Sequence, residues 1–268
     1  GIKAFYHLQT GAKADADTEG DAFNQRFFFG GLSGSFGKVA YGRMTNAYKF
    51  AGFAMDPFYN LSHIGAGGTV AFGGATYGLS PATNGFTDNA LQYTSPVLGG
   101  GLKLNAGVYI DDSNDDEHGY NFGGQWTGNN FNVGVQFASN GDVGTLPGVA
   151  ADGDATRVYG GYKGGNWSVG ISYETVDLST TFEDVGYLYV LGRYSITGKT
   201  ELIGSIGSVD DGGAEGTGFI GGVFHTIAPK TEIYATYSQA SIEPSGGTDT
   251  DPSVFAIGAR HKFSFGGS

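Results

Sequence analysis

The feature that most constrains this chain is a period-two alternation of apolar and polar side chains that recurs along most of its length. In FNVGVQF at 131–137, Phe131, Val133, Val135 and Phe137 alternate with Asn132, Gly134 and Gln136. The segments GLKLNAGVYI at 101–110 and WSVGISYE at 167–174 repeat the pattern, with Leu102, Leu104, Ala106, Val108 and Ile110 in one and Trp167, Val169, Ile171 and Tyr173 in the other. Successive side chains of a strand point to opposite faces, so each segment is expected to be a strand with one apolar and one polar face. No convincing helical period competes with this; one short turn near Pro57–His63 is the single exception expected.

Applied along the whole chain, the pattern predicts fourteen strands, at 1–11, 22–32, 38–45, 88–96, 101–110, 119–127, 131–139, 154–163, 167–176, 184–195, 200–209, 216–227, 231–241 and 253–265. The connections between them alternate in length. Those at 33–37, 97–100, 128–130, 164–166, 196–199 and 228–230 are short, whereas those at 12–21, 46–87, 111–118, 140–153, 177–183, 210–215 and 242–252 are longer. In an up-and-down barrel every second connection lies on the same side. Short turns on one side and long loops on the other are the arrangement of an outer-membrane barrel. The fold expected is therefore all-β: an antiparallel up-and-down transmembrane β-barrel with 14 strands in this chain. A soluble β-sandwich or propeller explains neither the two-sided loop rule nor polar faces so rich in Gly, Ser and Asn.

Composition closes off other classes. There are 50 glycines without a period of three and only 7 prolines, which excludes collagen, and no cysteine, which excludes disulfides and thiol chemistry. No run of about 18 apolar residues occurs, so no transmembrane helix is expected. That leaves a barrel open, because alternating strands average to a soluble-looking hydropathy. The first residue is Gly1, with no Met and no signal-like segment, which leads us to expect a processed or trimmed start.

Local repeats support the hairpins. WTGNNFNVG at 126–134 resembles YKGGNWSVG at 162–170, and ITGKTEL at 196–202 resembles IAPKTEI at 227–233. Each centres on turn residues that tolerate left-handed or fixed backbone angles. Trp126, Phe131, Tyr162, Trp167 and Tyr194 then fall at strand ends, where an interfacial aromatic girdle would lie.

Four segments resemble the general diffusion porins, trimeric outer-membrane porins of Gram-negative bacteria. These are GIKAFYHLQTG at 1–11, NQRFFFGGLSGSFGKVAYGR at 24–43, DNALQYTSP at 88–96 and AIGARHKF at 256–263. The resemblance spans the chain in order. It implies a water-filled channel for passive diffusion of ions and small hydrophilic solutes, set in the bacterial outer membrane among lipid and lipopolysaccharide, assembled as a homotrimer, with no enzymatic activity and no cofactor. Family members carry one more hairpin ahead of the segment that opens this chain. The expectation is thus a sixteen-stranded parent, with an unusual fourteen-stranded form as the alternative. Residues 1–265 are expected to form one barrel and 266–268 to be a tag or linker remnant.

Charge placement gives the channel its expected chemistry. Acidic residues cluster in long loops, as Asp15, Asp17, Glu19 and Asp21, then Asp111, Asp112, Asp115, Asp116 and Glu117, then Asp210, Asp211 and Glu215, within a net charge of −12. Basic residues sit in strands and short turns. Alternation points Lys3, Arg26, Lys103, Arg157, Arg193, Arg260 and Lys262 into the lumen, since a cation facing lipid at the midplane costs about 2–4 kcal/mol. Arg43 has ambiguous parity after Gly42, and its match to the family's Gly-Arg pair places it on the basic side of the pore. Segment 46–87 is too long and too rich in Gly and aromatics for a solvated loop. It resembles the family's third loop, which folds inward and narrows the barrel, with acidic residues facing a wall of arginines. Here that loop carries only Asp56, with Asp88 at its end, so a weak transverse field is expected. Acidic mouths and basic walls oppose one another, and the more numerous mouth charges favour a weak cation preference. Tyr48, Phe50, Phe53, Phe58 and Tyr59 on the loop could form a stacking slide of a sugar-selective channel. A closed barrel serving as a receptor or adhesin is the other alternative.

Other chemistry is thinly represented. DADTEG at 15–20 opens like a calcium-binding EF-hand loop, but the closing position is Arg26 instead of Glu, so the motif fails. Weak divalent-ion binding through Asp15, Asp17, Glu19, Asp111 and Asp112, bridging lipopolysaccharide phosphates, is the remaining metal reading. His7, His63, His118, His225 and His261 show no metal-ligand spacing. There is no G-x-S-x-G elbow; a hydrolase built on His7 and a loop acid is the minor enzymatic alternative. The acidic balance and lack of a basic patch argue against nucleic acid.

Overall fold

The computed structural model describes residues 1–12, 23–59, 61, 71–72, 75–83, 86–110, 117–141, 148–182, 184–210, 214–244 and 247–262. Its strands are β1 (Lys3–Ala12), β2 (Phe23–Gly34), β3 (Gly37–Met44), β4 (Ala71–Phe72), β5 (Ala75–Thr76), β6 (Thr87–Thr94), β7 (Leu102–Tyr109), β8 (Gly119–Gly128), β9 (Phe131–Ser139), β10 (Asp154–Lys163), β11 (Trp167–Val176), β12 (Val185–Thr197), β13 (Thr200–Asp210), β14 (Ala214–Ala228), β15 (Thr231–Pro244) and β16 (Ser253–His261). The two-residue strands β4 and β5 pair only with each other. The other fourteen form one antiparallel meander in which each strand neighbours the next in sequence, with β1 and β16 at its two ends. All fourteen expected strands are present, and 131–139, 154–163 and 167–176 have the expected bounds.

The alternation resolves into two faces. Outward side chains are large, apolar and uncovered: Tyr6 is 80% exposed, Ile257 76% and Ile206 64%. An apolar surface of this extent is stable only against lipid, which excludes the soluble β-sandwich. The expected girdle is one patch at the short-turn end, where Phe131 lies 4.6 Å from Tyr162, Tyr162 lies 5.2 Å from Trp167, and Trp167 pairs across the ladder with Tyr194. No helix among the described residues is long and apolar enough to cross a membrane.

The expected turn near Pro57–His63 is displaced. The helix of this segment, α1, spans Ala47–Phe53, immediately after β3. Asn46 caps it, its side chain accepting a 2.7 Å hydrogen bond from the Lys49 amide. The buried α1 residues Tyr48, Lys49, Ala51 and Gly52 share one side of the helix, but that side includes a lysine and a glycine while Phe50 is exposed, so no apolar stripe advertises the helix in the sequence. Only turn backbone follows at 57–59.

Candidate functional site

The segment between β3 and β6 folds against the inner wall formed by β10–β15. Tyr48, Phe58, Leu61, Tyr77 and Leu79 are buried in one cluster with Tyr187, Tyr189, Ile203 and Phe224 of the wall. Phe58 lies 6.1 Å from Phe224. Backbone meets backbone at Gly207, where an added Cβ would strike the Tyr77 carbonyl, and Gly78 (φ 92°) accepts a left-handed turn there that favours glycine. The loop thus fills the lumen beside these strands, and an open path remains between α1 and the inner faces of β1–β3 and β6–β10.

A buried ion pair fastens the loop. Arg157 and Glu174 are register partners on β10 and β11, and both point inward with side chains fully buried, 2.5 Å apart. Among the described residues, their hydrogen-bond partners beyond each other come from the loop. Tyr48 donates its hydroxyl to Glu174 at 2.8 Å, and Ser80 donates its amide and hydroxyl at 2.7 and 2.8 Å. Arg157 donates to the Tyr48 carbonyl at 3.1 Å and to the Thr83 hydroxyl, and its guanidinium lies over the Tyr48 ring at 4.6 Å. Arg157 was expected as an open lumen charge. It is inward, but the loop has covered it. Gly52 of α1 rests on the guanidinium, which a Cβ would meet directly. Gly52→Ala is expected to destabilise the folded barrel by about 1–3 kcal/mol through overpacking, measured as a lower urea midpoint in micelles.

Asp56 also sits differently from the expected constriction carboxylate. It is only 6% exposed, accepting from the Phe58 amide at 2.9 Å, the Thr76 hydroxyl at 2.7 Å and the Thr76 amide at 3.3 Å. Burial raises its pKa against the opposing effect of these hydrogen bonds. Its role here is to tie the loop to itself. The expected stacking slide is likewise dispersed. Tyr48 and Phe58 are buried, Phe53 and Tyr59 pack on each other at 4.7 Å, and Phe50 alone is well exposed, at 62%.

The open path is lined by cations. A cavity of about 510 Å³ within it is bounded by His7, Phe27, Phe29, Lys38, Phe50 and Lys103 with the amides of Gln92, Asn105, Gln125 and Gln136; no carboxylate is among its lining residues. Lys3 shares the inward face of β1 with Phe5 and His7. Towards the long-loop end, Arg26, Arg43 and Lys49 surround Phe86, at 5.2, 5.2 and 4.9 Å from its ring centre. Arg26 and Arg43 reach this place through irregularities in the ladder. The β1–β2 register steps from Gln9–Phe27 to Thr10–Gln25, leaving Arg26 as the extra residue of a bulge. The bulge lets it share the inner side with Phe27, the face expected of it. The β3–β6 register shifts between Gly42 and Met44, and Gly42 has φ 131°. Arg43 pairs with Asp88 at 2.5 Å, both partners partly exposed. Burial, and secondarily Arg26, lowers the Lys49 ammonium pKa to about 8.

Two of the remaining expected wall cations, Arg260 and Arg193, are compensated. Arg260 contacts Glu232 at 2.6 Å, and Arg193 lies 3.9 Å from Glu201. Lys38, Lys49, Phe86 and Glu174 were not singled out from sequence, although Lys38 shares the inward parity of Ala40. Asp15, Asp17, Glu19, Asp111 and Asp112, expected as weak metal ligands, lie outside the described residues, as do 263–268.

A family model described as Gram-negative porin matches residues 1–245. No curated protein matches the sequence. Among solved structures, the anion-selective porin from Comamonas acidovorans superposes with a TM-score of 0.74 at 17% identity, covering 98% of this chain and 85% of that one. OmpF of Salmonella typhi in complex with daunomycin gives 0.68 at 13% identity, over 96% and 85%. The trimer form of OmpT of Vibrio cholerae, folded in vitro, gives 0.61 at 19% identity, over 91% and 83%.

Proposed function

Because the chain belongs to the family of Gram-negative porins, outer-membrane β-barrels that conduct small hydrophilic solutes by passive diffusion, we propose that its channel prefers anions. The observation that carries this is the charge inventory of the open path. Lys38 and Lys103 line its cavity of about 510 Å³, where no carboxylate is among the lining residues; Arg26, Arg43 and the buried Lys49 ring Phe86, with Arg43 paired to Asp88 and Asp56 buried. Fixed charge in a narrow, low-dielectric passage repels co-ions far more strongly than the same charge at a wide mouth. Acidic loops at the mouth are screened over about 8 Å at physiological ionic strength, so they raise local cation concentration without deciding passage. The preference therefore runs opposite to the weak cation preference expected from the loop acids. The Comamonas acidovorans porin of similar fold is itself anion-selective.

On this reading the chain works as a homotrimer, like the trimer form of OmpT that it resembles, with lipid and lipopolysaccharide around its outer face. Residues 1–265 act as one barrel unit into which 46–87 is inserted, and the chain acts by passive conduction, with no catalytic step.

The test is ion substitution in planar bilayers. Purified protein is expected to give ion-conducting steps whose size drops when chloride is replaced by gluconate. Replacing potassium by Tris should change them little. A larger drop with Tris would refute the anion preference, and no steps at all would refute the channel. Lys49 adds a pH dependence. It is charged below about 8 and neutral above, so the ratio of chloride to potassium permeability is expected to fall by about twofold between pH 7 and pH 9.5, and to stay level in Lys49→Met, as read from reversal potentials.

A further inference from the structure

We propose that the open path holds a binding site for monocyclic aromatic carboxylates, made by a continuous strip of aromatic rings with a cation group at each end. The inference rests on the anion-preferring channel above and adds the class of solute that the channel retains.

The strip runs along the inner face of β1 and β2. Phe5 meets Phe29 edge-on at 6.4 Å, His7 lies 5.4 Å from Phe29 and 4.8 Å from Phe27, and Phe27 meets Phe86 at 5.0 Å. At the short-turn end the Lys38 ammonium sits over Phe5 at 4.5 Å and over Phe29 at 5.5 Å. At the long-loop end Arg26, Arg43 and Lys49 gather around Phe86. Arg26 and Lys38 are separated by roughly 20 Å along the strands, taking about 3.3 Å per residue. A small inorganic anion midway between them lies about 10 Å from either cation group, about one screening length away. The wall there offers rings.

A wall that only has to keep ions hydrated is built from hydroxyls and amides, as the opposite side of this path is, with Gln92, Asn105, Gln125 and Gln136. Phenylalanine rings facing water gain nothing from hydrated chloride. They do gain from a solute that brings its own ring, through offset or edge contacts. Phe50 on α1 projects into the same cavity as Phe27 and Phe29 and is 62% exposed, which supplies a second aromatic wall. The cavity of about 510 Å³ has ample room, since a cavity of about 150 Å³ holds benzene. A carboxylate on such a ring would reach Lys38 or Lys103 from one end and Arg43 from the other. Aliphatic carboxylates obtain only the charge contact, and aromatic ammonium ions are repelled.

Benzoate, acetate and benzylammonium, added at equal concentration to single channels in KCl, distinguish these contributions. Half-block of the current is expected at a benzoate concentration about fivefold or more below that for acetate, with benzylammonium the weakest. In Phe27→Leu/Phe29→Leu, which keeps side-chain bulk, the benzoate-to-acetate ratio is expected to fall to about one. Should that variant fail to give a heat-modifiable folded barrel, Phe50→Ala decides in its place, with an expected fall in the ratio of about twofold. Equal block by benzoate and acetate in the parent, or an unchanged ratio in the deciding variant, overturns the proposal. Failure of the underlying channel reading shows separately, as loss of the gluconate effect in the same bilayers.

Discussion

Arg157→Ala is expected to destabilise the folded barrel by about 3–5 kcal/mol, because it strands the Glu174 carboxylate in a site sealed from water. Both side chains of the pair are fully buried, and Tyr48, Ser80 and Thr83 close over them. Loss of the guanidinium removes a charge-assisted contact and the platform on which Gly52 rests, so the loop is expected to detach as well. Two readouts separate these effects. Urea unfolding in micelles reports the stability loss. Single-channel recording reports the freed loop as fluctuating open-channel current in place of steady steps. The double change Arg157→Met/Glu174→Leu removes both charges together and is expected to recover most of the stability, since apolar replacements of buried pairs are frequently neutral. Steady current in that double variant would show that apolar packing at Phe58 and Phe224 holds the loop without polar ligands.

Lys38→Glu/Lys103→Glu is expected to invert the selectivity. The two lysines line the cavity of the path, and reversing both changes the local charge by four. At effective dielectric constants near 20 and distances of two Debye lengths or less, such a change moves the chloride-to-potassium permeability ratio by about tenfold or more. That carries it from above one to below one. By contrast Arg260→Gln and Arg193→Gln are expected to change the ratio by less than about twofold, because Glu232 and Glu201 already compensate these arginines.

The wall was largely legible in the sequence, for a physical reason. A strand between lipid and water must alternate without exception, and wherever the pairing is regular, alternation fixes both strand and face. The inward face of Arg157 was legible in the same way, but its partner Glu174 was not singled out. A turn at 164–166 sets a register in which the two residues oppose each other on one face. What covers them was not legible, because Tyr48, Ser80 and Thr83 come from a segment 74 or more positions away from their partner. Local pattern carries no information at that range. Arg26 and Arg43 fall where the ladder slips; Arg26 takes the lumen face expected of it, and the slip at Gly42 is what left the face of Arg43 open. Helix α1 escaped notice because it is less than two turns long and its residue types run against burial, with Lys49 and Gly52 on the buried side and Phe50 exposed. Asp56 was assigned a place in the field from residue type, whereas Thr76 and the Phe58 amide decide its actual environment.

The anion preference of the path follows from the two lysines of the cavity wall and from Arg26, with Arg43 paired to Asp88 and both Lys49 and Asp56 buried, and it can be read from a single voltage. With tenfold more KCl on one side of a bilayer at pH 7, the zero-current potential has opposite signs for anion-selective and cation-selective pores. The arrangement of Lys38, Lys103 and Arg26 predicts the sign set by chloride, with the dilute side negative. A potential of the sign set by potassium, with the dilute side positive, would contradict the account.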